Sequence, residues 1–155
     1  MSIEKVTRFL RERNAADKIR VFDVSSATVE LAARALNTQE ARIAKSMSFS
    51  VNGEPVIIVT AGDMKIDNAK FKSVFHTKAK MLTPDELVKK VGHAMGGVCP
   101  FAVNEGCRIY LDESLKRFDI VYPAAGSANS AVELTVEELE ALSGGEWTDV
   151  CKPKE

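Results

Sequence analysis

The sequence is poor in the features that mark most specialised protein classes. It has only three cysteines and two histidines in 155 residues. The cysteines, Cys99, Cys107 and Cys151, are odd in number and widely spaced, which does not suit the disulfide framework of a secreted domain and implies reduced thiols. Charge appears within the first five residues, and no apolar run has the length of a signal-peptide core or a membrane span. Those absences imply a cytoplasmic protein with no membrane partner. Neither sign of charge dominates, with 21 Lys and Arg against 22 Asp and Glu and a net charge of −1. That balance excludes a protein that grips long DNA through its phosphates, but leaves room for a local contact with a single strand end. A Walker phosphate loop and a dinucleotide fingerprint are both missing, and His76, His93, Cys99 and Cys107 lack metal-ligand spacing. No metal and no cofactor is expected.

What is present is an ordinary globular composition, 45% hydrophobic and 28% charged, in a chain long enough for one domain over residues 1–155 with a real core. Ile3, Val6, Phe9 and Leu10 recur at helical spacing and predict an amphipathic helix over residues 3–13. Residues 20–24 read as a short strand, and Ser25, Ser26 and Thr28 offer caps for a helix burying Val29, Leu31, Ala32, Ala35 and Leu36. Residues 43–51 alternate as a strand with Ile43, Lys45, Met47, Phe49 and Val51 on one face. Lys45 among apolar neighbours either extends its ammonium to solvent or holds it at a pocket rim to meet a phosphate or developing negative charge. Asn52-Gly53 is a tight hairpin signal leading into residues 55–61, PVIIVTA, which read as a buried central strand.

Residues 65–75 predict a short irregular helix. From Asp63 to Lys90 seven lysines face four acids, which makes either a solvated charged face or a local attraction for a phosphate chain. Thr83-Pro84-Asp85-Glu86 is a capping box that starts a helix ending at Gly92, and Thr135 with Glu138 starts another. Strands are expected at residues 108–111, 118–122, 131–134 and 147–150, and residues 152–155 are expected to fray.

Residues 92–103, GHAMGGVCPFAV, organise the rest. Gly96 and Gly97 let backbone approach another group closely, and Pro100 fixes φ. The segment is either a sharp helix-to-strand turn or a shaped surface whose amides meet an anion or oxyanion. Cys99 and His93, six residues apart, allow a nucleophile and base only if the fold aligns them; the other reading is a buried apolar cysteine.

Three segments in this order, ARIAKSMSF around Lys45, TPDELVKKVGHAMGGVCPFAV, and VYPAAGSANSAVELTVEEL, resemble the YbaK/prolyl-tRNA-synthetase-associated family of aminoacyl-tRNA deacylases over nearly the whole chain. The resemblance implies an α+β fold, a mixed, partly closed, barrel-like sheet surrounded by helices, with a small-amino-acid pocket at its mouth. It further implies a freestanding trans-editing enzyme that hydrolyses the ester of a small mischarged amino acid, of the Ala, Ser or Cys class, on tRNA, with tRNA-Pro expected. The partners implied are the aminoacyl-tRNA acceptor end and prolyl-tRNA synthetase.

By the same resemblance, Lys45 and the loop amide of Gly97 are the catalytic positions. Ser46, Gly96, Val98, Cys99, Pro100, Phe101, Ala124, Ala125 and Gly126 are then substrate-binding. No side chain is an obvious general base, and the family answer is substrate assistance by the free ribose hydroxyl of the terminal adenosine. Two departures leave the amino acid open: Ala124 stands where cysteine-clearing members carry serine, and no histidine lies between Phe118 and Ser130. The rivals are a non-catalytic tRNA- or synthetase-binding module of the same fold and a hydrolase that uses Cys99 as nucleophile.

Overall fold

The computed structural model describes residues 2–154. Its centre is a hairpin. Strands β2 (Ile43–Val51) and β3 (Glu54–Ala61) pair antiparallel from Val51↔Glu54 back to Ala44↔Ala61. Asn52 and Gly53 both take positive φ, 53° and 84°, the turn geometry whose twist matches that of the flanking strands. Along β3 the side chains alternate between two cores. Ile57, Val59 and Ala61 enter one, Val56 and Ile58 the other, so both faces of the strand are covered and the run is apolar throughout.

The remaining strands extend this hairpin into a curled, half-barrel sheet of six strands in the order β8-β6-β2-β3-β5-β9. Strand β5 (Arg108–Asp112) lies parallel to β3, and β9 (Glu146–Thr148) parallel to β5. On the other side β6 (Ile120–Pro123) lies parallel to β2, but only at Ile43 and Ala44, and β8 (Leu134–Thr135) closes antiparallel on β6. Two ribbons sit outside: β1 (Ile19–Val21) with β7 (Ser130–Val132), and β4 (Met64–Ile66) with β10 (Cys151–Pro153).

Helix α1 (Ser2–Arg11) buries Val6 and Leu10, and α5 (Val136–Ser143) buries Val136 and Leu139, all against one face. Helix α3 (Asn68–Phe75) covers the other through Phe71 and Phe75, whose ring centroids lie 4.7 Å apart and 5.2 and 5.0 Å from those of Phe49 and Tyr110 respectively, a spacing favourable for aromatic pairs. Helix α2 (Val29–Leu36) starts on Thr28, whose side chain accepts from the Leu31 amide. It buries Ala32 and Ala33, with Val29 and Leu36 partly buried against the same cluster; the apolar pattern included Ala32, Val29 and Leu36 but not Ala33. Helix α4 begins as Pro84–Glu86 with the expected capping box and widens into a π-helical turn, Leu87–Val91, ending at Gly92 with φ 93°. Among the described residues, no helix is long and apolar enough to cross a membrane.

Three expected elements differ. The helix predicted over residues 65–75 begins at Asn68, because Asp67 Oδ1 accepts the Ala69 and Lys70 amides and caps it there. Residues 64–66 instead pair with Cys151–Pro153, so the C-terminal tail is a strand to Pro153 rather than a frayed end, with Glu155 outside the described residues. Finally, residues 131–134 divide at Glu133 between β7 and β8, each with a different partner.

Asp112 ties the end of β5 to the chain that follows β9. It is 2% exposed, with Oδ2 accepting from the Ser114 amide and Oδ1 from the Val150 amide, both at 3.0 Å. Asp112→Ala leaves two amides without an acceptor, and should lower the unfolding free energy in denaturant titration by about 2–4 kcal/mol. A change below about 1 kcal/mol would contradict this role for the carboxylate.

Candidate active site

The site forms where β2 lacks a neighbour. Leu82 N–H donates to Ser48 O at 3.2 Å and Ser50 N–H to Lys80 O at 2.8 Å, so the edge of β2 facing away from β3 is covered by residues 80–82 at one end. At the other end β6 covers it only at Ile43 and Ala44. Backbone groups alternate sides along a strand, so Ser46 presents its N–H and C=O on the same edge as Ser48 and Ser50, in the gap between the covered stretches. A cavity of about 320 Å³ fills that gap, with Ser46 on its wall. Ser46 Oγ is buried and has no hydrogen-bond partner among the described residues, a condition that costs free energy until something supplies one.

The glycine loop and the turn after β6 make the opposite wall. Gly96, with φ 87°, and Val98 line the cavity, as do Ala124 and Ser130. Behind them the two segments meet backbone to backbone. A Cβ on Gly97 would lie 2.8 Å from the carbonyl of Gly126 and 2.9 Å from the Ser127 nitrogen. Gly126, with φ 95°, is itself pressed against Ser2 O and Val6 of α1, at 2.8 and 2.9 Å from the position of a Cβ. Only glycine fits either position.

The sequence-derived site residues therefore divide into two layers. Lys45, Ser46, Gly96, Val98 and Ala124 line the cavity. Gly97, Cys99, Pro100, Phe101, Ala125 and Gly126 are buried beneath it and hold the wall in place. The Gly97 amide, expected to face an oxyanion, donates to Ala94 O at 3.1 Å. Two other loop residues, Gly96 and Val98, line the cavity with amides that bond no acceptor among the described residues.

Lys45 is half-buried, and its Nζ donates to Met64 O of β4. Burial, followed by repulsion from Lys154, pulls its pKa down to about 8. Lys45 lines the cavity, while its ammonium is tethered to the neighbouring ribbon.

Sequence reading missed part of the polar lining. Ser130 is 1% exposed, its Oγ lies 2.6 Å from Ser127 Oγ, and its carbonyl accepts from Ser26 Oγ at 3.4 Å. Ser26 and Ser130 both line the cavity, yet they lie 104 positions apart, so no local spacing could have joined them. The exposed rim is apolar, with Met81 62% and Met95 71% exposed. Among the described residues, no group of three or more His, Cys, Asp or Glu side chains could hold a metal ion.

The profile of the aminoacyl-tRNA editing domain family matches residues 23–142. The uncharacterised protein YwhH of Bacillus subtilis is 49% identical over 154 residues, covering 98% of each chain. The proline–tRNA ligase of Leuconostoc citreum is 29% identical over 101 residues, 64% of this chain but only 17% of the ligase. Among solved structures, a candidate trans-editing enzyme for prolyl-tRNA synthetase superposes with a TM-score of 0.88 at 28% identity, covering 97% of both chains.

The fold does bring Cys99 and His93 together, with Sγ 3.6 Å from Nε2, but in the wrong state for nucleophilic attack. Cys99 is fully buried, and that burial pushes its thiol up to about 12; burial also lowers the His93 pKa. The imidazole Nε2 is 2.8 Å from Phe101 O and braces the loop. Cys151 is likewise pushed up to about 12 by burial. A raised thiol pKa means less thiolate, about one part in 10⁴ at pH 8 for a pKa of 12. Iodoacetamide at pH 8 should therefore leave Cys99 and Cys151 unmodified in the native protein and label both in denaturant, as read by mass spectrometry. Rapid native labelling of Cys99 would contradict its inert assignment.

Proposed function

We propose that this chain, which belongs to the aminoacyl-tRNA editing domain family, hydrolyses the ester of a small amino acid of the Ala, Ser or Cys class on the 3′ end of tRNA, tRNA-Pro in the first instance. The observation that carries this reading is the cavity at the uncovered edge of β2, whose Ser46 Oγ is buried without a partner. At about 320 Å³ it falls at the lower end of the range of small-molecule sites, a size that supports a small aminoacyl group on a terminal nucleoside as its occupant. The similarity of a segment of prolyl-tRNA ligases to this chain supports action in trans on the product of such a synthetase, which is the proposed partner. Hydrolytic clearance is needed there because one methylene discriminates between substrates by only about 1–3 kcal/mol.

In the proposed reaction a water oxygen adds to the ester carbonyl carbon, and the carbonyl electron pair moves onto oxygen. Collapse of that intermediate breaks the bond to the ribose 3′ oxygen. The proton lost by the water passes through the neighbouring ribose 2′ hydroxyl to the leaving 3′ oxygen, so the free amino acid and the tRNA 3′ hydroxyl are formed in balance. The Val98 amide is the donor assigned to the oxyanion, a kind of contact that contributes on the order of 10²–10³ in rate. Ser46 supplies its hydroxyl and strand-edge groups to the aminoacyl group. Lys45 swings from Met64 O to the terminal phosphate or the developing charge.

The test is release of amino acid from Ala-, Ser-, Cys-, Thr- and Pro-tRNA-Pro, with one unrelated tRNA for comparison. The expected result is rapid release of one small amino acid, reduced roughly 10- to 100-fold by Lys45→Ala. No release from any substrate, with tRNA or synthetase binding retained, would replace the deacylase with a binding module. Because the Lys45 pKa is lowered to about 8, its positive charge is complete below that pH and lost above it. Activity corrected for spontaneous hydrolysis should thus fall as pH rises through about 8, and Lys45→Arg should keep it level beyond that point. An unchanged profile in wild type would remove the ammonium from the reaction.

A further inference from the structure

The segment that covers the far end of β2 connects the cavity to a second concavity. Residues 80–82 run antiparallel to β2, with Met81 opposite Phe49. Met81 is on the rim of the first cavity. Lys78 and Ala79, immediately upstream, line the second, a space of about 480 Å³ whose other wall is Asn68, Ala69 and Lys72 of α3. At about 3.3 Å per extended residue, Lys78 and Met81 are no more than about 10 Å apart along the chain.

This second concavity is cationic without compensation. Lys72 and Lys78 line it and Lys80 follows on the segment towards Met81; all three are exposed, and none forms an ion pair among the described residues. Most carboxylates of the same stretch are already engaged. Asp63 binds Arg117, Asp67 caps α3, and Glu86 pairs with Lys90 and closes its capping box; Asp85 is left exposed at the start of α4. Three unpaired ammonium groups held along one extended segment and the facing helix form a track for a chain of phosphates.

We propose that Lys72 and Lys78, with Lys80 between them and the rim, bind backbone phosphates of the single-stranded 3′ end of tRNA, while its terminal aminoacyl-adenosine occupies the cavity at Ser46. The proposal rests on the deacylase reading for the occupant of the first cavity. Its occupant is a nucleic-acid strand because charge complementarity and continuity with that cavity both call for a polyanion that ends there. The lysines add affinity for the strand and take no part in ester cleavage.

Two measurements separate this inference from the deacylase reading. The first is the affinity of fluorescently labelled, uncharged tRNA-Pro across a salt series. Lys72→Gln/Lys78→Gln should weaken binding roughly tenfold and flatten the dependence of log affinity on log salt by about 1.4, or 0.7 per phosphate contact on a single strand. Lys72→Arg/Lys78→Arg should retain both. The second compares hydrolysis of whole aminoacyl-tRNA with that of the aminoacyl-adenosine obtained from it by nuclease digestion. The glutamine variant should raise KM only for the whole tRNA. An unchanged affinity and salt slope, or an equal loss on both substrates, overturns the lysine track. Lysine-dependent binding without any hydrolysis would retain the track and overturn the deacylase.

Discussion

The contact between the Gly97 loop and the Gly126 turn, made backbone against backbone, fixes the geometry of everything at the cavity. A methyl group on Gly97 would meet the Gly126 carbonyl at 2.8 Å, and one on Gly126 would meet Ser2 O of α1 at the same distance. Three layers of chain, α1, the turn after β6 and the glycine loop, are thus stacked closely through the two glycines, and a close-packed interior transmits any displacement of one to the others. From the loop and the turn, Gly96, Val98 and Ala124 line the cavity. Lys5 and His93 add cross-braces: Lys5 Nζ donates to Gly92 O at 2.9 Å, and His93 Nε2 meets Phe101 O at 2.8 Å.

Facing this wall is a strand that is paired at both ends and open in the middle. Ser46 lies on that open stretch and lines the cavity, and its buried Oγ, without a partner among the described residues, is a group of the kind that a folded chain normally satisfies. The chemistry available is consequently that of amides, hydroxyls and one ammonium, since the buried thiol of Cys99 and the imidazole of His93 are locked beneath the surface in their neutral forms. An aminoacyl ester is already activated, so orientation and stabilisation of a developing charge suffice for it where they would not for an amide.

Local chemistry made much of this legible from the sequence. Asn52-Gly53 specifies a turn that only a hairpin uses, and the Thr83 and Thr135 capping boxes set two helix starts to the residue. Lys45, the glycine loop and the Ala-Gly turn could be recognised as a set because their order and spacing are preserved together. What escaped was long-range. Residues 64–66 carry no strong strand signal and become a strand only because the tail at Cys151–Pro153 lies beside them. Ser26 looked like a helix cap, and its place beside Ser130 exists only once β1 pairs with β7. The Gly97 amide could not be known to be occupied before the turn that aims it at Ala94 was seen.

The most direct test is the rate of aminoacyl-tRNA hydrolysis by Gly97→Ala, taken together with its melting curve. If the glycine contact sets the wall that stabilises the transition state, the variant remains folded with a modestly lower Tm and its rate falls by about 100-fold or more, the effect of losing one well-aimed donor. A folded Gly97→Ala protein that hydrolyses the ester within a few-fold of the wild-type rate would contradict the account, because the wall would then have moved without consequence for the reaction.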